Sequence, residues 1–386
     1  MQVASIQMIL SPKLAATWAG DVAEFETALL LRHFVETLSG WFDVCDPQEH
    51  FRRVVPVLAR ADECLLRVIC AASAWHRTRN GLFDLERAND LYDSSLEQLI
   101  KAMEGPNVGS NDSLLVAAVT MHLTEELRDL GHTLNLETRG HIVAMQVFLD
   151  DEASLAPSSL RTAAFRAASR EELQLCLTDQ EPLILPADAA AIDRGLADAD
   201  DDTWAWRIVL LSKDCLAFSL RPSSTFDWDA LWEQTQSWFN CRPASFEPTL
   251  RRNKNRDEGH MLPEIWYLHD HHVTGAYHLE LCLLLLAISD PRMSRFGLQK
   301  AISEERLKDE VNNRIINICG IAMSNSSFPP AMTAAAAIIT AWADYVEDPD
   351  LQDVLIQLLV KTRELHGWPT EAAQHRVKLI WRKFEK

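Results

Sequence analysis

The stretch Leu114–Leu127, LLVAAVTMHLTEEL, gives the first indication of the fold class. Its apolar side chains recur at spacings of three and four residues, and residues at these spacings lie on the same face of an α-helix. The same spacing recurs in six other segments, at Phe25–Leu38, Cys64–His76, Trp204–Leu220, Trp266–Ile288, Ala331–Tyr345 and Leu351–Leu365. Alternating patterns typical of strands are rare. The sequence therefore predicts an all-α protein.

Cap and break signals divide these segments from one another. Short polar side chains that can cap a helix occur at Asp112-Ser113, Ser169 and Thr370. Breaks are predicted at residues 105–112, 181–202, 222–226 and 249–260. The segment ADAAAIDRGLADADDD at 187–202 is acidic and rich in small residues, which indicates a flexible loop. No repeat of fixed period occurs, so a solenoid is not predicted.

Charge and cysteine usage exclude direct binding to nucleic acid. The chain carries 37 basic and 56 acidic residues, a net charge of −19, which repels a polyanion. Its eight cysteines form no C-x-x-C pair, and most lie singly within apolar runs. Thiolate zinc sites need ligands at short fixed spacings, so these cysteines are predicted to be buried, reduced thiols.

The same features indicate the compartment. The N-terminal stretch MQVASIQMILSPKLAATW lacks a basic start followed by a long apolar run, so no signal peptide is predicted. The longest apolar runs are shorter than a membrane span, and isolated cysteines suit a reducing environment. We expect a protein of the cytoplasm or nucleus that is neither secreted nor bound to a membrane.

Candidate chemistry rests on acids, bases and histidines, because no nucleophile elbow, P-loop, dinucleotide fingerprint or zinc-protease motif occurs. Glu125 and Asp129 lie one helical turn apart and would share a face, where paired carboxylates can hold Mg²⁺. The alternative is that the acids of this helix end pair with a basic neighbour such as Arg139 or Arg166.

A second cluster is His269-Asp270-His271-His272, in which His269 and His272 would share a helical face. A zinc site there needs a third ligand on the same face, and the sequence shows none. Asp270 is retained as a candidate metal ligand, with capping and core-edge roles as the alternative for the cluster.

Two further charged residues lie within apolar helical segments. Glu280 stands in LELCLLLLAI, where an unpaired buried carboxylate would cost several kcal/mol, so it must be paired, protonated or bound to a ligand. Lys213 stands in WAWRIVLLSKDCLAF and would grip a diphosphate if it faced a cavity. The alternatives are a salt bridge for Glu280 and a lysine at a helix edge, with its ammonium in water, for Lys213.

Seven stretches follow one another in a characteristic order: LLRHFVETLSGWFDVCDP (30–47), LLRVICAASAWHR (65–77), LLVAAVTMHLTEEL (114–127), LWEQTQSWFNCRPASFEP (231–248), LPEIWYLHDHHVTGAY (262–277), NICGIAMSN (317–325) and GWPT (367–370). They resemble the regulatory, or middle homology, domain of fungal-specific zinc-cluster transcription factors, over about residues 28–383. The resemblance implies a layered array of antiparallel helix pairs forming a single unit over residues 28–386. An N-terminal extension would occupy residues 1–27, and a mobile acidic loop would lie around residues 181–203.

The resemblance leaves different classes of function open. This regulatory fold is also similar to that of fungal non-canonical sesquiterpene cyclases, which implies Mg²⁺-dependent cyclisation of farnesyl diphosphate. On that hypothesis Glu280 and Lys213 are catalytic, while Glu125, Asp129 and Asp270 hold the metal. The chain departs from terpene cyclases in lacking DDxxD-type and NSE-type motifs, and it has Leu281 where the resemblance implies a lysine.

The other hypothesis is a regulator that senses a small molecule or dimerises, as a homodimer or with a full-length DNA-binding relative. A fragment of a full-length factor is a third interpretation. The absence of a DNA-reading module favours the cyclase slightly, with an apolar prenyl diphosphate as its ligand.

Overall fold

The computed structural model describes residues 21–106, 108–128, 148, 159–185, 193–221, 227–294 and 296–382. These residues are predominantly helical, and their strands form a sheet of two short strands, so the all-α prediction is confirmed. They divide into two compact units. The first holds the described residues up to Glu171 together with Gly367–Pro369, and the second holds the described residues from Glu172 to His366 and from Thr370 onward.

The described helices of the first unit are α1 Asp21–His33, α2 Ser39–Phe42, α3 His50–Arg53, α4 Val55–Ala59, α5 Glu63–Arg79, α6 Leu85–Met103 and α7 Asp112–Arg128. A π-helical turn, Phe34–Leu38, joins α1 to α2. Helix α8, Leu160–Asp179, contributes its residues up to Glu171 to the first unit and its remaining residues to the second.

The second unit contains α9 Asp201–Leu220, α10 Trp228–Cys241, α11 Asp270–Ile288, α12 Gly297–Ser324, α13 Pro329–Trp342, α14 Pro349–His366 and α15 Glu371–Trp381. Its strands are β1 Leu250–Arg252 and β2 Glu264–Trp266, which pair antiparallel with Leu250 opposite Trp266.

The first unit is built around α5, which packs against α6 and α7. Asp62 caps α5 by accepting a hydrogen bond from the Leu65 amide, and Asp84 caps α6 in the same way from Arg87. Most of α5 from Leu65 to His76 is buried, because neighbouring helices cover more than one of its faces. This burial explains why the segment reads as nearly continuous apolar sequence rather than as a narrow stripe.

The second unit is built around α11, which packs against α9 and α12. Helix α11 is long and apolar enough to cross a membrane by length and composition, but 67% of its most apolar window is buried inside the protein. A core helix that is covered on several sides has this composition for the same reason as a membrane helix, since few of its side chains meet water.

The β1–β2 hairpin was not predicted, and it corrects one helix boundary. The periodic segment predicted to begin at Trp266 starts instead at Asp270, because residues 264–266 pair with β1. The hairpin is also fastened to the end of α12, where the Ile265 amide donates to Ser324 Oγ and the Tyr267 amide donates to Asn325 Oδ1.

Two predicted caps lie elsewhere in the structure. Ser169 was expected to start a helix but lies inside α8, whose first turn is capped by Ser159 through the Thr162 amide. Asn111 caps α7 through the Leu114 amide, one residue before the predicted Asp112-Ser113. In both helices a short polar side chain just upstream satisfies one of the orphan amides of the first turn.

The predicted acidic loop is non-helical at 181–185 and 193–200, and residues 186–192 lie outside the described part of the chain. Helix α9 begins at Asp201, within the predicted break, with Asp200 accepting from the Thr203 amide. The boundary between residues 27 and 28 and the single unit 28–386 stay predictions.

Substituting Gly320 with alanine should destabilise the second unit, because the new Cβ would lie 2.6 Å from both the Pro263 carbonyl oxygen and its Cγ. A backbone oxygen cannot move aside like a flexible side chain, so we expect a loss of ~1–3 kcal/mol in a urea unfolding titration. Gly40→Ala is the control, since nothing lies within 4 Å of its added Cβ. Equal unfolding midpoints for the two variants would contradict the close approach.

Candidate functional site

A fully buried ion pair joins Lys213 on α9 to Glu172 on α8, within the second unit. Lys213 Nζ lies 3.0 Å from Glu172 Oε2, and both side chains are 0% exposed. The second carboxylate oxygen of Glu172 accepts hydrogen bonds from the backbone amides of Ile184 and, at 2.7 Å, Leu185. Lys213 is therefore a core residue, and the alternative that placed it at a helix edge with its ammonium in water is wrong.

Other charged side chains of α9 are also paired with nearby segments. Arg207 contacts the Asp193 carboxylate and donates to the Ala197 carbonyl at 2.8 Å. Asp214, which is buried, accepts from Arg194. These contacts tie the described part of the acidic segment to α9, and they show that Arg207 and Lys213 meet different partners.

Glu280 on α11 forms a salt bridge with Arg314 on α12, in which Arg314 Nη1 lies 2.9 Å from Glu280 Oε2. The same guanidinium also contacts Glu310, one turn earlier on α12. Glu280 is mostly covered, with 14% of its side chain exposed. Its charge is thus compensated by a neighbouring helix, which is the salt-bridge alternative drawn from the sequence.

Glu125 belongs to the first unit and accepts a hydrogen bond from the Tyr92 hydroxyl at 2.9 Å. Burial and the adjacent Glu125 carboxylate raise the pKa of Tyr92 above its usual range. The Arg128 guanidinium lies 3.5 Å from the centre of the Tyr92 ring, so this helix end holds a small polar and aromatic network. Asp129, its predicted companion, lies outside the described residues.

Asp270 is the first residue of α11 and is exposed, a position where the helix dipole favours a negative charge. The two histidines that follow it turn toward the start of α9. His272 Nε2 lies 2.9 Å from Asp201 Oδ2, and His271 Nδ1 lies 3.4 Å from Asp202 Oδ1. The missing partner of the histidine cluster is therefore Asp201, which comes from another helix.

The pKa values of the two histidines shift in opposite directions. Burial lowers the pKa of His271, but the hydrogen bond and charge of Asp202, with the charges of Asp201 and Asp270, outweigh it and raise the pKa overall. For His272 burial is the largest effect, and with the neighbouring histidines it outweighs Asp201, so its pKa is lowered. A neutral His272 keeps a nitrogen lone pair at neutral pH.

An aspartate with a raised pKa lies in the first unit. Burial raises the pKa of Asp43 to about 7, against the opposing hydrogen bonds that its carboxylate accepts from the Phe51 and Arg52 amides. These amides begin helix α3, so Asp43 acts as a long-range cap. Its neighbour Asp46 accepts from the amide and the ring of His50.

The structure gives separate partners to the candidate catalytic and metal-binding residues of the second unit. Lys213 contacts Glu172, Glu280 contacts Arg314, and Asp270 stands at the exposed start of α11. No two of these three share a partner among the contacts of the described residues. Their predicted roles in a magnesium and diphosphate site stay predictions.

Sequence reasoning missed Glu172 and Asp201, which carry the most informative contacts. Glu172 lies 41 residues from Lys213, and Asp201 lies 71 residues from His272. Neither distance corresponds to a local motif. The only available signal was that a lysine inside an apolar helix requires an acidic partner somewhere in the chain.

One part of the chain, within the first unit, is similar to a known protein family. Residues 29–129 match the family described as the fungal specific transcription factor domain. That stretch is similar to the family. It contains α5, α6 and α7 and three of the seven characteristic stretches. No curated protein and no solved structure gives a significant match to the chain.

Replacing Lys213 with methionine should destabilise the second unit, because it leaves the Glu172 carboxylate buried without its cation. We expect a loss of about 3–5 kcal/mol in the free energy of unfolding, measured by chemical denaturation. The double variant Lys213→Met, Glu172→Gln should recover part of that loss, since it removes both charges. Lys300→Met, from an exposed pair, is the matched control and should leave stability nearly unchanged. A similar small effect for both lysines would contradict the buried pair.

Proposed function

We propose that the chain is a regulatory module of the fungal transcription-factor type that acts through a separate DNA-binding protein. The observation that carries this proposal is the match of residues 29–129 to the fungal specific transcription factor domain. The helical architecture of the described residues agrees with a regulatory domain of this kind. The location that follows from the proposal is the nucleus or the cytoplasm.

Charge and thiol chemistry support action through a partner rather than direct contact with DNA. The net charge of −19 opposes binding to a polyanion. All eight cysteines are free thiols, and six of them are buried, so they do not form the clustered thiolates of a zinc-cluster reader. An acidic protein of this kind suits a protein partner, either a second copy or a relative that carries the DNA reader.

The contacts of the candidate catalytic residues also favour regulation over catalysis. Lys213 is locked between α8 and α9 by Glu172, and its ammonium has no exposed surface with which to meet a diphosphate. The charge of Glu280 is compensated by Arg314, and Glu125 already accepts a hydrogen bond from the Tyr92 hydroxyl. A cyclase would need these groups to be turned toward a common ligand.

A fusion experiment tests the proposal. The full chain joined to a heterologous DNA-binding domain should change transcription of a reporter carrying the cognate DNA sites, relative to the DNA-binding domain alone. The Lys213→Met fusion should lose the effect because its second unit is destabilised, while the Lys300→Met fusion should keep it. Reporter output that equals the DNA-binding domain alone, with the fusion present at normal abundance, would count against a regulatory module.

The cyclase hypothesis, with Mg²⁺ and farnesyl diphosphate, remains the alternative prediction and has its own assay. Purified chain incubated with farnesyl diphosphate, with and without Mg²⁺, should give no hydrocarbon by gas chromatography and mass spectrometry. The reason is that Lys213 and Glu280 are engaged in protein ion pairs. A magnesium-dependent product that disappears in Glu280→Ala but persists in Glu364→Ala, at an exposed position, would overturn the regulatory proposal.

A further inference from the structure

Three side chains in the second unit converge in an arrangement that could hold a metal ion. Asp201 is the first residue of α9, and His271 and His272 lie in the first turn of α11. One potential ligand atom from each residue lies within 4.8 Å of the other two. Imidazole nitrogens together with a carboxylate oxygen form a ligand set typical of zinc and other first-row transition metals.

The measured distances are close to those that a bound metal requires. With metal–ligand bonds of ~2.0–2.1 Å, neighbouring ligand atoms lie ~3.0–3.4 Å apart. His272 Nε2 and Asp201 Oδ2 are already 2.9 Å apart. His271 Nε2 lies 3.9 Å from the same oxygen. A modest rotation of the partly exposed His271 side chain would bring this nitrogen to the distance that a shared metal ion requires.

His271 has the arrangement expected of a ligand held by an outer carboxylate. Its Nδ1 faces Asp202 at 3.4 Å, which favours a proton on Nδ1 and leaves the lone pair on Nε2. Nε2 is buried, and it has no hydrogen-bond partner among the described residues. A buried nitrogen without a hydrogen-bond partner is unusual in folded proteins. The His271 Nε2 atom faces Asp201, whose nearer carboxylate oxygen is 3.9 Å away.

The surroundings fix the other two ligands. Ser245 donates to Asp201 Oδ1, which leaves Oδ2 directed at the histidines. His272 is 2% exposed, and its ring packs edge-on against Phe246, with ring centroids 4.9 Å apart. Asp201 and His271 are partly exposed, so an ion can reach the cluster from solvent.

We infer that Asp201, His271 and His272 bind a divalent transition-metal ion, with zinc as the best-matched ion. The inference goes beyond the proposed function and does not depend on it. The metal would join the first turn of α9 to the first turn of α11, and water or a fourth ligand would complete its coordination. His269, whose ring lies 5.3 Å from that of His271, is the nearest further imidazole of the cluster.

The affinity follows from the same geometry. When His272 binds metal through Nε2, its ring proton must sit on Nδ1, a buried atom without a hydrogen-bond partner in the described part of the chain. That unsatisfied donor weakens binding relative to a structural zinc site with a complete outer shell. We therefore expect zinc binding in the micromolar range at neutral pH.

The test is calorimetric titration of the full, reduced chain with zinc chloride, followed by cobalt(II) absorption spectroscopy. One zinc per chain is expected for the wild type. His271→Gln and Asp201→Asn should each weaken binding at least ~10-fold, and Asp202→Asn should have a smaller effect. His375→Gln, at an exposed position on α15, is the matched control and should bind like the wild type.

The cobalt spectrum separates this site from adventitious binding by thiols. Ligation by nitrogen and oxygen gives weak visible bands without the near-ultraviolet thiolate-to-cobalt charge transfer that Cys241, the exposed cysteine, would produce. His271 is partly exposed, so His271→Gln should fold normally, and circular dichroism without metal checks this. No binding at millimolar zinc, equal binding by wild type and His271→Gln, or a thiolate band would each overturn the proposal.

Discussion

The need to compensate buried charge on helix α9 organises the second unit. Lys213, Arg207 and Asp214 all lie on a helix that is otherwise packed in apolar surroundings. A buried charge without a partner is far more costly than an exposed one, so each of these groups needs a partner. Their partners are Glu172 on α8 and two residues just before α9, Asp193 and Arg194, and the requirement fixes the positions of these two residues against α9.

Glu172 shows how strongly one residue can couple such a region. Its carboxylate meets the Lys213 ammonium through one oxygen and the amides of Ile184 and Leu185 through the other. The segment that follows α8 is therefore held against that helix at Ile184 and Leu185, whose amides donate to the Glu172 carboxylate. A sequence with many acids and small residues between 187 and 202 looks flexible, yet its described part is held by ion pairs to α9.

The sequence predicted the helices well because their apolar faces repeat locally. It failed where structure depends on distant partners. The strands β1 and β2 are each three residues long, too short to produce an alternating pattern, and their pairing with each other and with the end of α12 decides where α11 begins. The sequence showed that Lys213 and Glu280 need compensation, but it did not identify Glu172 or Arg314, because nothing local marks a contact between separate helices.

One of the stretches that suggested a family has a structural role in its described contacts. In the first unit, the DVCDP segment supplies Asp43 and Asp46, which accept amide hydrogen bonds at the start of α3. Such residues maintain a fold and carry no information about a ligand or a reaction. Similarity over residues 29–129 is accordingly an argument about architecture, and function has to be sought at particular sites.

The histidine cluster is a site of that kind, and its energetic scale can be compared with the buried pair. A ligand that binds only the folded state adds RT ln(1 + [L]/Kd) to stability, ~2.7 kcal/mol at a free concentration 100 times Kd. That is close to the ~3–5 kcal/mol expected for loss of one partner of a buried ion pair. Both interactions hold α9: Lys213 anchors its middle to α8, whereas Asp201 connects its first turn to α11. At that free concentration of metal, occupancy of the site would change the stability of the second unit by an amount comparable to that of its central ion pair, and the two effects would act at different points of α9.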